Sequence, residues 1–208
     1  ETERKHLILT GRNGSGKTSV LEAIGHTLFR LHGGQALRFQ DPGEILIDVS
    51  IGQRQIHDLR VEGKLVTAYF EAKRGPNFET PTGVKRISLE PSRWIQGGPG
   101  NAFVQHIVNL WADKSFAKEE QDEKSAIEIS EWFETFESIL SQLIGKEGVR
   151  LQFDRNNYNF TVIEPGKNPY TLGQLSDGYG AILNIVTDIF MRVQSQGLQK
   201  FDLPGIVL

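Results

Sequence analysis

Cysteine is absent from the chain, which excludes a disulfide framework, a thiolate metal site and a cysteine nucleophile. Positive charge is not in excess: 23 Lys and Arg stand against 26 Asp and Glu, a net charge of −3. No global field announces nucleic acid, so any such contact must be a local patch or come through a partner. The five histidines, His6, His26, His32, His57 and His106, are scattered, without the H-x-x-x-H or H-x-x-E-H spacing of zinc sites. No apolar run approaches the roughly 20 residues of a membrane span, and no signal peptide opens the sequence. These absences predict a cytoplasmic protein without a membrane partner. Its 208 residues suit one sizeable domain, or one with a small insertion, able to bury an ordinary core.

Against those absences, "LILTGRNGSGKTSVLEAI" (residues 7–24) is dense with signal. Leu7, Ile8 and Leu9 have the apolar character of a buried parallel strand, which breaks at Gly11. From Ser19 to Leu31 the pattern is helical, with Val20, Leu21, Ile24, Leu28 and Leu31 on one face. Between them, Gly11, Gly16, Lys17 and Thr18 satisfy G-x-x-x-x-G-K-[ST]. By chance that pattern arises in about one chain in a hundred of this size, and here it also has the strand before and helix after that its chemistry needs. Glycines let the turn curl so that backbone N–H groups point around a phosphate chain, and the helix presents its positive end to the same anion. The stretch therefore predicts a nucleoside triphosphate site at Gly11, Arg12, Asn13, Gly14, Ser15, Gly16, Lys17, Thr18 and Ser19. Lys17, the candidate catalytic residue, reaches the outer phosphates, and the Thr18 hydroxyl is the expected ligand for Mg²⁺. Arg12 faces either phosphate or a neighbouring subunit, or else solvent.

Further along, Ile45, Ile47, Val49 and Ile51 alternate as a strand with one wet face does, and Val61 and Leu65 to Phe70 suggest two more strands. The Gly- and Pro-containing "EAKRGPNFETPTG" reads as a loop, and "QGGPGN" (residues 96–101) as a firm break. A helix follows from Ala102. The charged "ADKSFAKEEQDEKS" is expected to be a solvated helix end or a mobile loop. Residues 127–144 form an amphipathic helix whose Trp132, Phe133 and Phe136 are expected in the core, and "DRNN" joins a β-hairpin. The sequon Asn159-Phe160-Thr161 carries no meaning in a cytoplasmic chain.

A second helix start is marked by "LSDGYG" (residues 175–180), with Ser176 at the cap position and a strongly apolar helix after it. Taken together, the two stretches resemble the ATP-binding cassette superfamily, whose signature is written LSGGQ. That resemblance implies ATP sandwiched between the phosphate loop of one subunit and the signature of another, with Ser176, Asp177 and Gly178 touching the γ-phosphate held by a partner's Lys17. Asp177 replaces the family's first glycine and Tyr179 its glutamine, departures that the soluble branch related to RecF, SMC and the OLD-like ATPases tolerates. "LSDGY", "DIFMR", "AYFEAKR" and "WFETFESIL…LQFDRNNYNF" are similar to bacterial AAA-type anti-phage defence ATPases, the Septu (PtuA-like) and retron-associated proteins that work beside an HNH nuclease subunit.

The expectation is thus an α/β P-loop NTPase with a cassette-type mixed sheet and an inserted helical subdomain. Residues 1–99 are the nucleotide-binding lobe, 100–145 the helical insertion, and 146–208 carry the signature helix and the Walker B strand. Family members end that strand in Asp-Glu, the acids that hold Mg²⁺ through water and orient the attacking water. Here "PGIVL" stops at Leu208, so the acids are expected beyond it, in a longer polypeptide that also precedes Glu1. The Q-loop glutamine is best assigned to Gln96. The implied protein is an ATPase that forms an ATP-sandwich homodimer or higher oligomer and governs a partner nuclease. A DNA-repair ATPase of the RecF or SMC kind, touching DNA or RNA directly, is the alternative, and a transporter's nucleotide-binding subunit a more distant one. The SMC type needs heptad arms, which residues 112–127 lack.

Overall fold

A computed structural model of the chain describes residues 8–31, 58, 65–70, 78–87, 99–194 and 205–207. In chain order the elements are α1 (Lys17–Leu31), β1 (Val66–Ala68), α2 (Phe103–Glu119), α3 (Glu123–Ile144), β2 (Arg150–Asp154), β3 (Asn159–Ile163), β4 (Tyr170–Thr171), α4 (Asp177–Gln194) and β5 (Gly205–Val207). Short 3-10 turns precede α2 at Pro99–Ala102 and α4 at Leu172–Gln174. Helices and strands are therefore mixed, as expected. Among the described residues the strands form two groups, a parallel pair β1–β5 and an antiparallel sheet ordered β2-β3-β4. The strands expected at residues 45–51 and around Val61 lie outside the described residues.

Two compact units divide the chain. The first comprises Glu1–Phe70, Glu90–Gly98 and Arg192–Leu208, and the second Glu71–Leu89 and Pro99–Met191.

In the first unit, β1 is buried at all three positions, the environment of a parallel strand covered on both faces. Its partner β5 supplies "GIV" in the register Val66↔Gly205, Thr67↔Ile206 and Ala68↔Val207. Arg192, at the end of α4, is buried, and its Nη1 donates to the Thr67 carbonyl at 3.1 Å. Along α1 the buried side chain is Ala23, whereas Val20, expected on the apolar face, is exposed. A small residue sets the inward side of this helix near its start.

The second unit holds an aromatic core. Phe103, Ile107 and Val108 of α2 meet Phe133, Phe136 and Leu140 of α3, together with Phe160 and Val162 of β3 and Phe190 of α4. Trp132 stacks on Phe136 with centroids 5.6 Å apart and planes at 15°, and Phe103 meets Phe190 edge-on at 5.8 Å. Each such side chain contributes roughly 1.5–3 kcal/mol on burial, so the aromatics of residues 132–136 are core, as expected. Phe160, inside the sequon, is fully buried.

The charged stretch 112–125 is a correction. It is not a solvated loop: α2 runs through Glu119 and α3 begins at Glu123. Ala117 and Ala126 are buried on the two sides of the turn, and the Asp122 carboxylate caps α3 by accepting from Ser125 N–H at 3.1 Å. That bond holds the Asp122 carboxyl below its usual range. The far end of α3 closes with Gly145 in the left-handed conformation, its N–H on Ser141 O.

Two polar devices fix the unit's periphery. Glu164 is buried, with Oε1 2.7 Å from Lys146 Nζ and Oε2 3.0 Å from Lys167 Nζ, and it accepts from the Tyr170 hydroxyl at 2.9 Å. Lys146 foremost holds the Glu164 carboxyl down at about 2, while burial and then Glu164 push the Tyr170 phenol up to about 12. Elsewhere, Asn101, Gln105 and Asn109 are spaced by fours from the start of α2 onward. They grip the extended segment 78–87 through Glu79, Gly83 and Lys85.

Candidate functional site: the glycine loop and the start of α4

The loop 11–16 owes its shape to glycine. Gly11, Gly14 and Gly16 take φ of 154°, 80° and 83°, values that side chains with a Cβ rarely adopt. At Gly11 a Cβ would also stand 2.8 Å from Ser15 Oγ. Ser15 N–H donates to Arg12 O at 3.2 Å, closing the turn. Lys17 then folds back across it: Nζ donates to Gly11 O at 2.9 Å, to Arg12 O at 2.8 Å and toward Ser15 Oγ at 3.4 Å. The loop is drawn into a ring with an ammonium at its mouth.

Beside that ammonium lies the tip of α1. Its first helical bond runs from Val20 N–H to Gly16 O at 3.0 Å, so the N–H groups of Lys17, Thr18 and Ser19 precede the ladder and have no helical acceptor. No acidic residue occupies the first turn, and nothing in the helix itself competes for its positive end. Arg12, Asn13, Gly14, Ser15, Gly16, Thr18 and Ser19 are exposed. An anion reaching this surface meets a cation, free donors and a positive dipole together, the combination that binds phosphate.

The start of α4 differs. Ser176, Asp177 and Gly178 are all exposed, and the Ser176 hydroxyl makes no hydrogen bond with the described residues. Its carbonyl opens the helix by accepting from Gly180 N–H at 2.7 Å. Asp177 puts a carboxylate in the first turn. A Cβ on Gly178 would meet no atom within 4 Å, so nothing in this chain requires glycine there. Tyr179 and Ile182, both exposed, continue the surface along the helix.

These two groups of residues belong to different units. Gln96 lies outside the described residues, as does Leu208. Sequence reasoning missed the Ser15 hydroxyl as a Lys17 partner, and also the polar side of α4, where Thr187, Asp188 and Arg192 are buried. The apolar residues interleaved with them masked that polar stripe. Among the described residues no three His, Asp or Glu side chains group as a metal site would, and no helix is long and apolar enough to cross a membrane. No protein-family model matches the chain, and no curated protein matches it.

Proposed function

We propose that the chain is a P-loop ATPase module of the cassette type, which binds ATP at residues 11–19 and pairs head-to-tail with a second copy through Ser176, Asp177 and Gly178. The observation that carries the reading is the Lys17 ammonium held across a ring of positive-φ glycines, beside three free N–H groups at the tip of α1. A triphosphate would take over Lys17 from the Gly11 and Arg12 carbonyls, exchanging neutral acceptors for a charged one. Thr18, exposed in the first turn, would hold Mg²⁺, which binds through few protein ligands plus the phosphates themselves and neutralises their charge.

The exposure of the 176–178 tip, and the open space at Gly178, support a contact made outside the chain. Closure of such a pair is a two-state switch that ATP biases by binding the closed state better. In this reading the switch governs a partner nuclease of HNH type, an extension that rests on the resemblance of "LSDGY", "DIFMR" and "AYFEAKR" to defence ATPases.

A matched pair of variants tests the mechanism. Lys17→Ala is expected to lose ATP binding, and Ser176→Arg to keep it while failing to pair; isothermal calorimetry and sedimentation velocity read the two properties separately. Normal ATP-dependent pairing by both variants sinks the sandwich, and normal ATP binding by Lys17→Ala sinks the site.

A further inference from the structure

The extended segment 78–87 is hydrogen-bonded along one edge only. Gln105 Nε2 donates to Gly83 O at 2.8 Å, and Asn109 Nδ2 to Lys85 O at 2.7 Å, while Lys85 N–H donates to Asn109 Oδ1 at 3.2 Å. Gln105 Nε2 also bonds Asn109 Oδ1 at 3.0 Å, which fixes both amides. In an extended chain the N–H and C=O of one residue point to the same side and those of the next residue to the other. With 83 and 85 turned toward α2, Val84 and Arg86 turn their backbone groups outward, and neither makes a backbone hydrogen bond with the described residues. Val84 is 55% exposed, and Lys85 and Arg86 are exposed beside it.

An exposed edge of this kind is a template for another strand. Its charge says which. A second copy of this chain would bring Lys85 and Arg86 against themselves, and like charges facing one another across a strand pair are unfavourable. An acidic strand meets complementary charge instead. The alternating outward donors and acceptors suit a peptide backbone rather than phosphates, and two cations in a chain of net charge −3 are a weak nucleic-acid footprint. We propose that residues 82–86 form a docking edge that takes up an acidic extended segment of a partner protein by strand addition, with hydrogen bonds to Val84 and Arg86. This surface is separate from the glycine loop, and the inference does not depend on the nucleotide reading.

The test uses the whole chain and a short fluorescent peptide alternating glutamate and threonine, with a lysine–threonine peptide and a DNA duplex as comparisons. Anisotropy is expected to show the acidic peptide binding at least tenfold more tightly than the basic one. Hydrogen exchange should slow at the Val84 and Arg86 amides on binding, while Lys85, already bonded, stays unchanged. Val84→Pro removes an outward N–H that the chain itself does not use, and is expected to weaken binding at least tenfold with the circular dichroism unchanged. Arg86→Glu, which leaves the backbone alone, should abolish the preference for acid. Failure of the acidic peptide to bind, equal binding by Val84→Pro, or preference for the duplex each overturns the proposal.

Discussion

Gly178 separates stability from function more cleanly than any other position in the candidate site. It lies in the first turn of α4, where glycine is less favourable than alanine by roughly 0.5–1 kcal/mol within a helix and by less near its end. Since a Cβ would meet nothing within 4 Å, no clash offsets that gain. Gly178→Ala should therefore stabilise the isolated chain by about 0.5 kcal/mol, a rise of roughly 1–2 °C in melting temperature for a domain of this size. Pairing should move the other way. A methyl group at a tip that closes on phosphate holds the two surfaces apart, so ATP-dependent dimerisation should weaken at least tenfold, or about 1.4 kcal/mol. Differential scanning fluorimetry without nucleotide gives the first quantity and sedimentation velocity with ATP and Mg²⁺ the second. A variant that is more stable and still pairs like the parent would refute the contact, because the open space would then be ordinary exposed surface.

Gly11→Ala must place a Cβ 2.8 Å from Ser15 Oγ at a φ of 154°; it should abolish ATP binding in calorimetry at a local cost of about 1–3 kcal/mol. Adding Ser15→Ala should relieve the collision but not the backbone strain, so binding should recover only in part. Burial lowers His106 from 6.5 to about 4, so the unfolded chain takes the proton first. Stability is then level above pH 6.5 and falls by up to about 3 kcal/mol as pH drops toward 4. Urea titrations across that range should show the loss, and His106→Phe should flatten it. Glu164, held down to about 2, contributes stability above pH 4.5 that is lost as pH falls toward 2. Glu164→Gln should remove that lower limb in acid titrations followed by circular dichroism. Phe160→Ala empties a fully buried site between Trp111, Phe133 and Phe153, and chemical denaturation should report a loss of about 3–5 kcal/mol.

Much of the local structure was legible because it depends on neighbours in the chain. The glycine spacing of residues 11–16 announces positive φ, and a helix follows at Lys17. The "DRNN" turn lies between β2 and β3 as the alternation on each side requires, and "LSDG" opens α4. The charged stretch before residue 126 was misread because composition weighs charge and not capping. Asp122 and the small buried pair Ala117 and Ala126 make a tight helical hairpin out of residues that look solvated. The grip of Asn101, Gln105 and Asn109 on segment 78–87 was invisible for a different reason: amides four apart on a helix are ordinary until a particular strand lies beside them.

The sequence alone determined the shape of the phosphate-loop backbone, because φ is a property of single residues and glycine is the residue that reaches those angles. It likewise determined where the helices begin, since a cap acts within one turn. Only the tertiary structure decided that Lys17 closes the loop through Gly11 and Arg12, that the 176–178 tip is exposed and that one edge of residues 82–86 is left open. Each of these depends on which atoms come within about 3 Å across space, and hydrogen bonding and exclusion from water are settled at that distance, not by order along the chain.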